Sequence, residues 1–169
     1  MIRPILRYGD AGLSARAKPV EAFDDRLRQL IDDMVETMYA APGIGLAATQ
    51  LGIPLRVLVV DATTGKAGGQ LITLVNPEVV ERAGTQLEEE GCLSIPGFNA
   101  TVVRPSRVVL KGYDRDGAER VVEGKDILAR AFQHEMDHLD GTLFVDRLRG
   151  IRRDLIVRKI QRLQRSGRW

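Results

Sequence analysis

Apolar residues recur at helical spacing in three segments of the chain. In the first segment, residues 24–41, the apolar positions are Leu27, Leu30, Ile31, Met34, Val35 and Met38. Asp24 can cap this helix, because its side chain can accept hydrogen bonds from the first free N–H groups. Residues 125–139 and 152–165 repeat the periodicity and so place their apolar side chains on one face. The pattern therefore predicts an N-terminal helix, a central helix and a C-terminal helix.

Short runs rich in β-branched residues predict strands between the first two helices. Residues 55–61 ("LRVLVVD") and 71–76 ("LITLVN") are separated by a polar, Gly-rich sequence, which is typical of two strands joined by a loop. Residues 107–114 and 118–124 adjoin "DRDG", whose Asp-Gly step favours a hairpin turn. The order helix, strands, helix, helix favours an α+β fold over a doubly wound parallel sheet.

The composition fits one globular domain over residues 1–169, with residues 151–169 as a basic C-terminal helix. Hydrophobic residues make up 44% of the chain and charged residues 28%, which suits a protein with a sizeable core. The only cysteine, Cys92, excludes an internal disulfide framework, and the first residues lack a charged-then-apolar leader, so we expect a cytoplasmic protein. No apolar run approaches the roughly 18 residues of a membrane span. The net charge of +2 conceals nine Lys/Arg and one Asp after residue 146, so this end can face a different partner.

The segment "FQHEMDHLDG" (132–141) holds both histidines of the chain. His134 and His138 are four residues apart, so on a helix their imidazoles lie on one face and can bind one metal ion. Glu135 stands beside them and can act as a base. This H-E-x-x-H spacing supplies two ligands and a base, and the alternative is a pair of ordinary histidines on a core or surface helix.

A catalytic metal ion needs a third protein ligand and an open position for water. The chain has no third histidine, and the acidic residues after the second one are Asp140, Asp146 and Asp154. Cys92, in "EEEGCLSIPG", is therefore the best remaining donor, and the flanking Gly and Pro residues predict an exposed bend. The alternatives are a buried cysteine without a metal, a zinc endopeptidase, and a non-catalytic peptide binder with a structural metal.

A third segment, "APGIGLAATQLGIP" (41–54), combines glycines with a lone amide side chain. Gly43 and Gly45 allow close approach by an extended ligand, and Gln50 can donate hydrogen bonds. The Gly-x-Gly step does not fit a phosphate-binding loop, because it precedes a strand and lacks both the third glycine and the Lys-Ser/Thr pair.

Together, these three segments resemble the peptide deformylases. That family carries G-x-G-x-A-A-x-Q, E-G-C-L-S and Q-H-E-x-D-H, and this chain reads "GIGLAATQ", "EGCLS" and "QHEMDH" in the same order. The resemblance covers about residues 1–150 and implies an α+β fold of mostly antiparallel β-sheets packed around a central metal-binding helix. It also implies hydrolysis of the N-terminal formyl group of formyl-methionine on newly synthesised polypeptides, with release of formate.

The resemblance further implies the roles of individual residues. The implied metal ligands are Cys92, His134 and His138. Glu135 would be the general acid/base, and Gln50 with the backbone N–H of Leu93 would form the oxyanion site. The ion expected in the cell is iron(II), with zinc, nickel or cobalt as substitutes.

Helical spacing also predicts part of a substrate pocket. Ile127 and Ala131 share the face of the two histidines, so they can wall a slot for the methionine side chain, although core packing explains them equally well. Ile44 can close the slot from the opposite side. The backbones of Gly45 and Gly91 can pair with the peptide in strand fashion.

Further charged residues can support the site or bind a partner. Glu90 and Asp137 can orient the imidazoles or fix the cysteine loop, and Arg104 can pair with such a carboxylate. Simple solvation is the alternative. The basic C-terminal helix can contact the ribosome, as the resemblance to one subgroup implies, because RNA attracts a block of positive charge. We expect no membrane contact and no specific DNA binding.

Overall fold

The computed structural model describes all 169 residues and contains three α-helices and seven β-strands. The helices are α1 (Asp25–Ala40), α2 (Ile127–Leu139) and α3 (Ile151–Arg165). The strands are β1 (Gly45–Ala47), β2 (Val57–Val60), β3 (Ile72–Ala83), β4 (Gln86–Gly91), β5 (Asn99–Arg104), β6 (Arg107–Tyr113) and β7 (Glu119–Lys125). Asp24 caps α1 as its sequence predicts, accepting a hydrogen bond from the N–H of Leu27.

All strand pairs are antiparallel. Five strands form one sheet in the order β1-β2-β3-β6-β7, and β4 and β5 form a separate two-stranded ribbon. The hairpin predicted from the Asp-Gly step is β6–β7, in which Tyr113 pairs with Glu119. This arrangement confirms the predicted α+β class with mostly antiparallel sheets.

Strand β2 is buried on both of its faces. Val57 and Val59 pack in a cluster with the apolar side chains of α1, while Leu58 and Val60 pack in a cluster with those of α2. Successive side chains of a strand point to opposite faces, so the two helices cover opposite sides of the sheet. This packing fixes α2, and the side chains on it, against the inner strands.

The β4–β5 ribbon, the segment that follows α2 and helix α3 form a third apolar cluster. Its fully buried members include Ile95, Val145 and Ile160. Ile160 is the only residue of α3 that is buried, so this helix is attached along one narrow strip. None of the helices combines the length and apolar character that crossing a membrane requires.

The sequence patterns missed or shortened four strands. β3 extends beyond Asn76, through Pro77, and its register with β6 shifts between Val75 and Glu78. Pro77 favours a strand end because proline cannot donate to a sheet ladder, and the residues from Glu78 to Ala83 are mostly exposed, so the apolar run stops although the strand continues. β1 has only three residues, and β4 ("QLEEEG") and β5 lie in sequence that the apolar runs did not mark.

Candidate metal centre

Helix α2 places three polar side chains of the motif in the interior. His134, Glu135 and His138 are all buried, and the two rings meet edge to face with centroids 4.8 Å apart. The predicted sharing of one helix face is therefore observed. Helix α2 packs closely against β7 because Gly124 of that strand lacks a side chain. A Cβ at Gly124 would lie 2.8 Å from the Phe132 ring of α2.

Three potential metal donors converge at this point. The Nε2 atoms of His134 and His138 are 3.1 Å apart, and the Cys92 Sγ lies 3.2 Å from the His138 Nε2. All three donor atoms lie within 4.8 Å of one another, so this group can hold a metal ion. The bend predicted around Cys92 is present, because residues 93–97 form turns with Pro96 and Gly97 exposed, but Cys92 itself is partly buried against the third apolar cluster.

Glu90 orients one of the two histidines. Its carboxylate accepts a hydrogen bond from the His134 Nδ1 at 2.8 Å, which leaves the Nε2 lone pair free to face the other donors. Arg104 donates to both Glu90 oxygens, at 3.1 and 2.6 Å, and Arg130 donates at 3.0 Å. Burial alone would raise the pKa of Glu90, but the hydrogen bonds from His134 and Arg104 lower it to about 2.

Asp137 supports the site through arginines and does not reach an imidazole. It accepts hydrogen bonds from Arg104 at 2.6 Å and from Arg147 at 2.6 and 3.0 Å. The sequence identified the pairing of Arg104 with a carboxylate but missed Arg130 and Arg147. Arg130 lies four residues before His134, so helical spacing alone could have drawn attention to it.

Glu135 is a buried carboxyl group that makes no hydrogen bond or ion pair within the protein. Its Oε1 has no hydrogen-bond partner in the protein, and burial raises its pKa to about 7 although His134 opposes the shift. A group that titrates near neutral pH can both accept and donate a proton. Gly45 makes room for it, since a Cβ at this position would lie 2.5 Å from the Glu135 Oε2.

Gln50 and Leu93 lie beside the cysteine. The N–H of Ala47 donates to the Gln50 Oε1 at 3.0 Å, which turns the Gln50 Nε2 towards the Ser94 Oγ at 3.1 Å and the Cys92 Sγ at 3.8 Å. The backbone N–H of Leu93 donates to no acceptor in the protein. Ser94 was not identified from the sequence, where it is one hydroxyl among several loop residues.

The charges of this cluster suit a cation. Burial and the neighbouring His134 lower the pKa of His138 well below its usual value, so that ring is neutral, as a metal ligand must be. Burial would also lower the pKa of His134, but the negative charges of Glu135 and Cys92 raise it well above its usual value. The same negative charge attracts a divalent ion, which competes with the proton for the His134 ring. One thiolate and two imidazoles are a donor set that zinc and other first-row transition metals accept.

A cavity of about 770 Å³ opens onto these residues. Its lining includes all the residues predicted to contact substrate, namely Ile44, Gly45, Gly91, Ile127 and Ala131. Ile127 is 55% exposed, so core packing does not account for it, whereas Ala131 is 3% exposed and lies in both the cavity wall and the core. The cavity also reaches His134, Glu135, Gln50 and Cys92.

Comparisons with known proteins are consistent with this geometry. Residues 2–154 match the family described as Polypeptide deformylase. A protein of Acidobacterium capsulatum named peptide deformylase is 48% identical over 169 residues, which are 100% of this chain and 99% of that protein. The crystal structure of a peptide deformylase from Legionella pneumophila has a TM-score of 0.92 and 46% identity, covering 99% of this chain and 98% of that one. The crystal structure of the Ehrlichia chaffeensis peptide deformylase in complex with actinonin has a TM-score of 0.90 and 36% identity, covering 97% of this chain and 98% of that one.

Proposed function

Because the chain belongs to the polypeptide deformylase family, whose members remove the N-terminal formyl group from new polypeptides, we propose a residue-level mechanism for this activity. In it, Cys92, His134 and His138 hold one divalent metal ion, and Glu135 transfers the proton. The observation that supports it is the convergence of three donor atoms within 4.8 Å of one another, beside a buried carboxyl group that faces a cavity.

The metal ion and the formyl group suit each other chemically. When bound, a divalent ion lowers the pKa of a water molecule towards neutrality and polarises a carbonyl oxygen. The carbonyl carbon of a formamide carries only hydrogen on one side, so it can approach the attacking water more closely than an ordinary peptide carbonyl can. A site that requires this close approach discriminates against internal peptide bonds.

Glu135 supplies the proton transfer. Its carboxylate takes a proton from the attacking water and hands it to the nitrogen of the leaving amine, which gives formate and a free N-terminus. Without this transfer the amine would have to leave as an anion. The pKa of about 7 that burial gives this group suits both halves of the exchange at neutral pH.

Gln50 and Leu93 stabilise the oxygen that gains negative charge. The Gln50 amide is held by the N–H of Ala47, and the Leu93 N–H makes no hydrogen bond within the protein. Both groups can donate to the oxyanion of the tetrahedral state, and one such donor is worth about 2.7–4 kcal/mol. Ser94, which contacts the Gln50 amide, is then a positioning residue.

The methionine side chain occupies the apolar part of the cavity. Ile44, Ile127 and Ala131 wall this slot, and the backbones of Gly45 and Gly91 pair with the peptide in strand fashion. Gly45 has a second role, because its missing side chain also leaves room for Glu135.

We further propose iron(II) as the ion in the cell, with zinc, nickel or cobalt as substitutes, and cytoplasmic action on nascent formyl-methionyl polypeptides. Iron(II) beside a thiolate makes the protein sensitive to oxygen, since Cys92 can be oxidised.

Helix α3 contacts the ribosome through its exposed basic residues, which are Arg152, Arg158, Lys159, Arg162 and Arg165. Neither membrane contact nor specific DNA binding is part of the proposal.

The ligand set is tested by metal content together with activity. Protein purified without oxygen should hold one divalent ion per chain and release formate from formyl-Met-Ala-Ser. Cys92→Ala, His134→Ala and His138→Ala should each lose most of the metal, whereas Ser94→Ala should keep it as the matched control. A Cys92→Ala variant that retains one tightly bound ion and full activity would contradict the proposed ligand set.

A further inference from the structure

The N-terminal segment forms one wall of the catalytic cavity. Ile2, Arg3, Ile5 and Arg7 all line the cavity. Between them the backbone is tied to the catalytic region, because the N–H of Leu6 donates to the Gln50 carbonyl at 2.8 Å and that of Tyr8 to the Ser94 carbonyl at 2.9 Å. Two positively charged side chains are thereby presented to the cavity.

Only one of these two arginines is neutralised. Arg3 donates to the buried Asp33 at 2.7 and 2.8 Å. Arg7 is exposed and has no carboxylate within 4.0 Å and no side-chain hydrogen bond. Arg130, also on the cavity, is paired with Glu90 at 3.0 Å. Arg7 is therefore the free positive charge at the cavity.

Trp169 fixes the position of Arg7. The Arg7 guanidinium carbon lies 5.9 Å from the centre of the Trp169 ring, a distance at which a cation is attracted to the ring face. The Trp169 Nε1 donates to the Tyr8 carbonyl at 2.8 Å, and its ring meets the Phe98 ring at 6.1 Å. Phe98 directly follows Pro96 and Gly97 of the cavity wall, so this contact holds Arg7 close to the cavity.

We propose that Arg7 is a specificity-determining residue that favours nascent polypeptides with an acidic side chain a few residues after the methionine. The inference rests on the proposed function, since it concerns the part of the same substrate that leaves the metal site along the cavity. An exposed charge pair of this kind changes kcat/KM by about two- to fivefold at low salt, and less at high salt.

One exposed and unpaired negative charge at the cavity acts in the opposite sense. Glu89, on β4, is exposed, lines the cavity and has no ion pair. It would favour a basic side chain where the peptide passes β4. The preference for acidic residues should therefore depend on position, being strongest at the one position that lies against Arg7.

The test uses formyl-Met-Ala-Ala-Ala peptides in which the second, third or fourth residue is replaced by Glu, Gln or Lys. Formate release gives kcat/KM for each peptide with the metal-loaded wild-type enzyme and with Arg7→Gln, Arg7→Glu and Arg82→Glu. Arg82 is exposed, has no ion pair and does not line the cavity. The Arg82→Glu control therefore makes the same change in net charge as Arg7→Glu, but away from the cavity.

At the peptide position that lies against Arg7, the wild-type and Arg82→Glu enzymes should show a kcat/KM about two- to fivefold higher for the Glu peptide than for the Lys peptide. The ratio should approach one in Arg7→Gln and invert in Arg7→Glu, and 0.5 M salt should reduce it. An equal Glu-to-Lys ratio in wild-type and Arg7→Glu at all three positions would overturn the inference while leaving deformylation intact. Failure of every formyl peptide to react would instead overturn the proposed function itself.

Discussion

Helices α2 and α3 have similar lengths, 13 and 15 residues, and both are rich in charge, but their surroundings are opposite. In α2, ten residues are buried, six of which are polar or charged; in α3, the one buried residue is Ile160. Buried charge must find partners inside the protein, and α2 does so through Glu90, Arg104 and its neighbours. Arg152 donates to the Thr101 carbonyl at 3.4 Å and Arg153 lies 4.0 Å from Asp146, but the other charged side chains of α3 have no partner within the chain.

This difference assigns the two helices separate tasks. In the proposed mechanism α2 holds the reacting groups in an environment where burial changes pKa values and fixes side chains, so substitutions there should alter stability and catalysis together. α3 presents exposed positive charge on a narrow apolar attachment, so substitutions of its exposed residues should alter binding alone.

The largest effect is expected for Arg104, which is 4% exposed and joins Glu90 to Asp137. Arg104→Met should lower the free energy of unfolding by about 3 kcal/mol, because it removes the buried cation that the two carboxylates share and leaves Glu90 with Arg130 and Asp137 with the half-exposed Arg147. Chemical denaturation measures the change. Arg107→Met is the matched control, since its ion pairs with Glu81 and Glu123 are partly exposed and should contribute about 0–1 kcal/mol. Equal losses of unfolding free energy in the two variants would contradict the expectation that the buried ion pairs of Arg104 stabilise the protein more than the exposed ion pairs of Arg107.

Gln50→Ala should reduce kcat for a formyl peptide about 10²–10³-fold, because one donor to the oxyanion is lost. Ser94→Ala removes the hydroxyl that accepts from the Gln50 amide at 3.1 Å but keeps the donor, so it should have a smaller effect. Metal content should stay unchanged in both variants. A Gln50→Ala enzyme with normal kcat would remove this residue from the mechanism.

Gly45→Ala tests the fit between β1 and α2. The added Cβ would lie 2.5 Å from the Glu135 Oε2, so the carboxyl group must move. Displacement of a catalytic group by about 1 Å can cost on the order of 100-fold in rate, while the melting temperature should change less than the activity because the carboxyl group borders the cavity and can shift towards it. The kinetic constants and thermal unfolding of Gly45→Ala are compared with those of Gly68→Ala, where an added Cβ would meet no atom within 4 Å. Normal activity in Gly45→Ala would contradict the placement of Glu135 as the proton carrier.

The smallest effect on hydrolysis is expected for α3. Replacing Arg158, Arg162 and Arg165 by Gln should leave formyl-Met-Ala-Ser turnover within twofold, since these exposed residues do not line the cavity. Ribosome affinity, measured by co-sedimentation at low salt, should fall on the order of tenfold as three phosphate contacts are lost. The control replaces the exposed Arg16, Arg26 and Arg82, which removes equal charge from other faces. Unchanged ribosome affinity in the α3 variant would refute the proposed contact.

Much of the metal centre could be predicted from the sequence because it depends on local spacing. His134 and His138 share a face through helical periodicity alone, and the family resemblance connects Cys92 to them across more than 40 residues. The comparisons with known proteins confirm the family and the activity that this resemblance implied. The helices and the β6–β7 hairpin were predicted for the same reason, since their periodicity or turn residues are local signals.

The parts that could not be predicted depend on contacts between distant segments. Strand β4 is polar, and Glu90 is buried only because Arg104 and Arg130 meet it from β5 and α2. Arg147 reaches Asp137 from the segment after α2. Nothing in the local sequence distinguishes Arg147 from a solvated arginine, because an ion pair between segments leaves no periodic pattern.

The most direct test of the account compares Glu135→Gln with the wild-type enzyme under anaerobic conditions, with metal content and formate release from formyl-Met-Ala-Ser measured on the same samples. The amide keeps the shape of the side chain but cannot carry the proton. We predict unchanged metal content and a rate at least about 100-fold lower, as expected for loss of a general acid/base. Full activity at full metal content in Glu135→Gln would contradict the central claim that α2 supplies both the metal ligands and the proton carrier.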